Sequence, residues 1–189
     1  MTTLTDLQKA NKLLENKKYA EAEAFFTKAL EDVKQAAKKD TAKEIAILNQ
    51  LGQLYLEQDE FKKAENAHAE ALELCKTTLD TDVSESVLLT VSLLCAVYEA
   101  QSQFDKALKL YNEAIETASQ MLGGDDPDIA IAKCSQAAVY IEQGEFAKAQ
   151  EAYESALPII EKYYPEEADA IQEIKENLAL AKEKALQPA

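Results

Sequence analysis

Apolar positions recur along the chain at helical spacing. Leu48/Leu51/Tyr55 and Ala107/Leu108/Tyr111/Ile115 fall three, four and seven residues apart, which gives each segment one face to bury. The pattern also repeats on a longer scale. Tyr19-Ala-Glu-Ala-Glu-Ala-Phe-Phe-Thr-Lys-Ala-Leu30 returns as Phe61-Lys-Lys-Ala-Glu-Asn-Ala-His-Ala-Glu-Ala-Leu72. It returns again from Phe104 to Ile115 and from Phe146 to Leu157, so the opening aromatics stand 42, 43 and 42 residues apart. Ahead of three of them lies a second echo, Leu51-Gly-Gln-Leu-Tyr55, Leu94-Cys-Ala-Val-Tyr98 and Gln136-Ala-Ala-Val-Tyr140. Self-similarity at a period of about 20–50 residues marks a stack of equivalent units.

Each unit reads as two antiparallel helices. Small residues stand where helices must approach closely: Gly52, Cys95 and Ala137 on the first helix, Ala64, Ala107 and Ala149 on the second. Tyr55, Tyr98, Tyr140, Phe61, Phe104 and Phe146 fill the space between. The turn inside each pair is polar, about five residues by inspection. Between pairs, Gly123 and Gly124 suit a helix C-terminus, Asp126 an N-cap and Pro127 the first helical position. After the last unit, Ala168, Ile171, Ile174, Leu178, Ala181 and Ala185 mark one stripe on a single helix, expected over about 166–186. Its other faces are charged, as the end cap of a stacked array requires.

This small–aromatic–alanine skeleton resembles the tetratricopeptide repeat (TPR) family. The period and the stretches Leu48-Asn-Gln-Leu-Gly-Gln-Leu-Tyr55 and Gly123-Gly-Asp-Asp-Pro-Asp-Ile-Ala130 are most similar to the long-helix subtype of kinesin light chains. The resemblance implies an all-α fold: a right-handed superhelical α-solenoid of four helix hairpins and a C-terminal capping helix. One TPR domain would span 1–189, with repeats at about 3–40, 41–82, 83–125 and 126–165. The first repeat departs furthest, carrying Ala10 and Leu13 in the small and aromatic places.

Composition narrows the function classes. Of 189 residues, 20 are Lys, none Arg and 35 Asp or Glu, a formal charge of −15 that opposes nucleic acid or an anionic membrane as partner. Gly and Pro number only four each, too few for a fold of many hairpins. No apolar run is long enough to span a bilayer, and the opening Met-Thr-Thr-Leu-Thr-Asp shows no secretory pattern. Cys75, Cys95 and Cys134 form no metal or redox pair, so reduced thiols and a cytoplasmic location are expected.

No catalytic, metal or cofactor constellation emerges. His68 stands in the column where the other repeats carry Phe26, Tyr111 and Tyr153, which makes it a core imidazole. One His builds no zinc site of the usual His-rich kind. Cys95 falls in the close-packing column; Cys134 is the exception, expected to face the inner surface and be accessible, with a redox role the lesser reading beside a structural one.

The resemblance implies binding along the concave groove formed by first helices. The residues flanking the core column there are Leu7, Asn11, Leu14, Asn49, Gln53, Leu56, Ser92, Ala96, Glu99, Ile131, Cys134, Ala138 and Ile141. Asn11, Asn49 and Gln53 suit an extended peptide backbone, because an amide both donates and accepts. Ser92, Ala96, Cys134 and Ala138 leave room, while Leu89, Leu93, Ile131 and Ile141 are apolar, for a groove or for a neighbouring repeat. Glu15, Glu57 and Glu142, with Glu99 one place off, form an acidic stripe at first-helix ends, against the helix-dipole preference. The cationic clamp by which some family members hold acidic chaperone tails is missing: its places carry Leu7, Asn11, Gln50, Leu89 and Leu93. The expected function is a non-enzymatic adaptor for a protein or peptide segment with basic and apolar residues. The alternatives are a self-associating scaffold, with a homo-oligomer, and a small acidic secretion-type chaperone.

Overall fold

A computed structural model describes residues 5–77 and 81–186, the side chains of 81–85 excepted. The described residues are all-helical. The helices are α1 (Asp6–Glu15), α2 (Tyr19–Gln35), α3 (Thr41–Leu56), α4 (Phe61–Thr77) and α5 (Thr81–Ala100), followed by α6 (Phe104–Leu122), α7 (Pro127–Glu142), α8 (Phe146–Tyr163) and α9 (Ala168–Ala185). They fall into two compact units, Met1–Val97 and Tyr98–Ala189, with the boundary near the end of α5.

Within each unit consecutive helices pack on one another, and the small-residue columns explain why they approach so closely. Ala10 and Ala22 in the first hairpin and Ala137 and Ala149 in the fourth are fully buried. The large partners close the same interfaces: Phe26 with Ile47, Leu51 and Leu54 in the first unit, Tyr153 with Leu178 and Ala181 in the second. Each such side chain, moved from water into the core, stabilises by about 1.5–3 kcal/mol. In the second hairpin this column holds glycine. A β-carbon placed on Gly52 would lie 2.5 Å from Cε1 and 2.7 Å from Cδ2 of His68, so only glycine admits this ring.

Helix starts follow the sequence signals. Asp126 caps α7 by accepting from the Asp128 and Ile129 amides, with Pro127 in the first turn. Thr5 and Gln8 form a reciprocal capping box on α1. Capping helix α9 buries Ile171, Leu178 and Ala181, but Ala168 and Ala185 at the two ends of its expected stripe are exposed. The apolar face is thus shorter than the sequence pattern: its residues in the core clusters run from Ile171 to Ala181.

The turns inside the hairpins are shorter than the expected five residues, three or four, and all four share one geometry. Lys17, Asp59, Ser102 and Gly144 take positive φ of 57°, 57°, 55° and 77°. Around Gly144, its own amide donates to the Ile141 carbonyl and the next amide, Glu145, reaches back to Tyr140. The same pair of bonds recurs at Lys17/Lys18, Asp59/Glu60 and Ser102/Gln103. This is a Schellman ending, which satisfies the last carbonyls of the first helix while reversing the chain into the second.

Candidate functional site

A cavity of about 490 Å³ opens in the first unit, lined by Asn11, Leu14, Glu15, Lys17, Gln50, Gln53 and Glu57. Its walls come from α1 and α3, with Lys17 at the Schellman corner after α1. Five of the residues expected in the groove meet here: Asn11, Leu14, Gln53 and the two acids Glu15 and Glu57. Gln50, which sequence reasoning set only against the missing clamp, adds another amide. Asn11 and Gln53 are exposed, whereas Leu14 is half-buried and rests on the core around Phe26.

The acids differ in their support. Tyr19, the first residue of α2, stands close to Glu57. Burial, and then the influence of the Glu57 carboxylate, raise the Tyr19 phenol above its ordinary value. Glu15 makes no ion pair among the described residues. Lys17 is the one cation among the seven lining residues, so the wall is amide-rich and net acidic.

Asn49 requires a correction: it does not line the cavity. It is 7% exposed, and both ends of its amide are engaged in the core. Its Nδ2 donates to Thr90 Oγ1 at 2.9 Å, and its Oδ1 lies 3.1 Å from His68 Nδ1. Because Asn49 offers His68 an acceptor, the imidazole carries its proton on Nδ1. Nε2, pressed toward Gly52, is buried with no hydrogen-bond partner among the described residues. Desolvation lowers His68 to about 4, so the ring is neutral at pH 7. The imidazole is core, as its column implies, yet the network that holds it joins residues 19 and 41 apart and has no signal in the repeat pattern.

The remaining groove candidates are placed differently. Leu56, Ser92 and Ala96 in the first unit are half-buried, as are Glu99, Cys134, Ala138 and Ile141 in the second. Cys134 and Ile141 pack against the Tyr153–Leu178 cluster, and Cys134 also meets the Ile160–Ile171 cluster. Cys134 is half-buried, and burial pushes its thiol up to about 12, in line with a structural rather than a redox thiol. In the acidic stripe, Glu15 and Glu142 end α1 and α7, and Glu57 follows α3; all three are exposed. Glu99 is half-buried: burial first, and then the charge of Glu142, raises its carboxyl to about 7. Leu89 and Ile131 are exposed at 59% and 44%, on α5 and α7 respectively. Among the described residues no group of three or more His, Cys, Asp and Glu could hold a metal ion. No described helix is long and apolar enough to cross a membrane.

Residues 2–77 and 86–162 match the family model of the tetratricopeptide repeat. The chain belongs to the TPR family. Its TPR fold is similar to that of BtubC (BKLC) from P. vanneervenii, with a TM-score of 0.82 at 20% identity, over 95% of this chain and 71% of that one. It is also similar to putative kinesin light chain TPR-like repeats of P. anserina, with a TM-score of 0.73 at 19% identity, over 95% and 84% of the two chains. A third likeness is to the Rap conjugation gene regulator of the plasmid pLS20, solved in complex with the Phr* peptide: TM-score 0.63, 16% identity, over 94% of this TPR chain and 53% of that one. At these identities the likeness is one of fold. A comparison with curated proteins found no match. The TPR assignment makes this chain a repeat module of the protein-interaction kind.

Proposed function

We propose that this chain is a non-enzymatic adaptor whose α1–α3 groove takes an extended peptide or protein segment bearing basic and apolar side chains. The observation that carries this reading is the cavity itself, which gathers Asn11, Gln50 and Gln53 beside Leu14 and the carboxylates Glu15 and Glu57. The amides match the alternating donors and acceptors of a peptide backbone. The acids favour a lysine or arginine on the ligand and disfavour a glutamate-rich one. The peptide held by the Rap regulator, a protein of similar fold, supports a peptide as the ligand class. The net charge of −15 adds long-range attraction for a basic segment, and salt screens that attraction.

The test is affinity capture from source lysate with wild type and an Asn11→Ala/Gln53→Ala double variant, followed by titration of the partner. Both side chains are exposed, so the melting temperature should hold while affinity falls at least tenfold. Equal affinity for the two forms would sink the groove assignment. A mass that climbs with protein concentration, with only the bait recovered, would favour a scaffold that binds its own copies.

A further inference from the structure

In three of the four hairpins the penultimate residue of the second helix is a lysine: Lys34 in α2, Lys76 in α4 and Lys162 in α8. A cation there complements the partial negative charge of the helix C-terminus. Helix α6 has no basic residue in its last turn, and its penultimate residue is Met121, 70% exposed. The next residue, Leu122, is 47% exposed and borders an open cavity of about 410 Å³ together with Gly123, Gly124, Asp125, Asp126, Pro127 and Tyr163. Two of the seven large apolar side chains exposed among the described residues therefore border this cavity, Leu122 and Tyr163, and a third, Met121, precedes Leu122 in the chain.

The corner is also negative. No ion pair among the described residues uses Asp125, Asp126 or Asp128. Asp126 is engaged in capping α7, but Asp125 is exposed and makes no such bond. Burial first, and then their acidic neighbours, raise the Asp128 carboxyl and the Tyr164 phenol. An uncompensated helix end, free acids and exposed apolar groups thus meet around one cavity.

We propose that the end of α6 is a second docking surface, for a partner segment that sets a lysine or arginine beside an aliphatic side chain. The cation takes the place that Lys34, Lys76 and Lys162 fill in their own helices, within reach of Asp125. The aliphatic group covers Met121 and Leu122, beside the Tyr163 ring that the Lys162 ammonium already faces at 4.8 Å. Gly123, at a φ of 89° that L side chains rarely adopt, leaves the corner without a side chain, and the space where a β-carbon would sit is open for 4 Å around.

The probe is an acetylated, amidated peptide Gly-Leu-Lys-Leu-Lys-Gly, with a Glu-for-Lys version as control, titrated into the isotope-labelled full chain by NMR. Amide shifts at Leu122, Gly123, Gly124 and Asp125 are expected with the lysine peptide and not with the acidic one. They should persist in an Asn11→Ala/Gln53→Ala background, which removes the response of the α1–α3 groove. Met121→Lys, which supplies the missing cation from the chain itself, should weaken binding at least fivefold, and Asp125→Asn should do the same. Both positions are exposed, so folding is retained and is verified by the unchanged remainder of the spectrum. No shift at Leu122, Gly123, Gly124 and Asp125, equal response to the acidic peptide, or full response of that corner in Met121→Lys would overturn the proposal. So would self-association of the unliganded wild type that Met121→Lys abolishes, which would assign the surface to a second copy.

Discussion

His68 and Glu99 carry opposite acid–base signatures, and each can be read in solution. The folded state holds His68 near 4 against an ordinary 6.5, so the unfolded chain takes up the proton more readily. Its contribution is complete above pH 6.5 and is lost as pH falls toward 4, on the order of 3 kcal/mol in all. His68→Gln keeps a donor for Asn49 and removes the titration. Urea unfolding at pH 7, 5.5 and 4.5 should show a lower stability than wild type at pH 7 and a smaller loss on acidification. A parallel loss in both proteins would mean that other groups set the acid limb. Glu99 runs the other way. Its folded value is raised to about 7, so its contribution is present below pH 4.5 and is lost as pH rises through 7. Glu99→Gln imitates the protonated form, and its melting temperature should gain on wild type between pH 5 and pH 8. A constant difference across that range would place Glu99 in a better-solvated setting.

At the scale of the helix, the repeated Schellman corner connects chain chemistry to stability. An L-residue in the left-handed region is disfavoured by roughly 1–2 kcal/mol, which glycine avoids at some entropic cost. Ser102→Gly and Asp59→Gly should therefore each stabilise by about 0.5–1 kcal/mol, and Gly144→Ala should destabilise by about 1 kcal/mol, in denaturant titrations. Loss of stability in the glycine variants would show that the Ser102 and Asp59 side chains matter more than their backbone. The corners also show where the sequence was legible and where it was not. The 42-residue period, the alanine column, the aromatic column and the Asp126–Pro127 start were all readable from residue type. Only Gly144 advertises a left-handed corner; Lys17, Asp59 and Ser102 give no such sign, so the turns read as longer than they are. Asn49 failed for a related reason. Its place in the heptad-like spacing puts it beside the core column, and only the packing of α3 against α4 and the position of Thr90 on α5 decide that its amide is consumed. Asn11 and Gln53 have no such buried partners and stay on the surface.

For the molecule as a whole, the excess of acid is the dominant long-range term. Thirteen ion pairs join described residues, but most are exposed pairs worth about 0–1 kcal/mol each, so they leave the net charge of −15 to repel itself. Raising ionic strength from about 10 mM to about 150 mM shortens the screening length from roughly 30 Å to roughly 8 Å. The melting temperature should rise over that range, and fall if attractive pairs outweigh the repulsion.

The His68–Asn49–Thr90 set has a consequence for how the chain finds its own order. Near-copies are exchangeable: a hairpin can dock on the wrong neighbour and bury almost as much apolar surface. These three residues occur together only once. The places equivalent to His68 hold Phe26, Tyr111 and Tyr153, those of Asn49 hold Leu7, Ser92 and Cys134, and those of Thr90 hold Thr5, Ile47 and Ala132. A hairpin displaced by one repeat would bury the Asn49 amide opposite hydrocarbon, at a cost of about 1–3 kcal/mol for each group left unpaired. The buried amide thus serves as an address, marking which copy is the second in a chain of look-alikes.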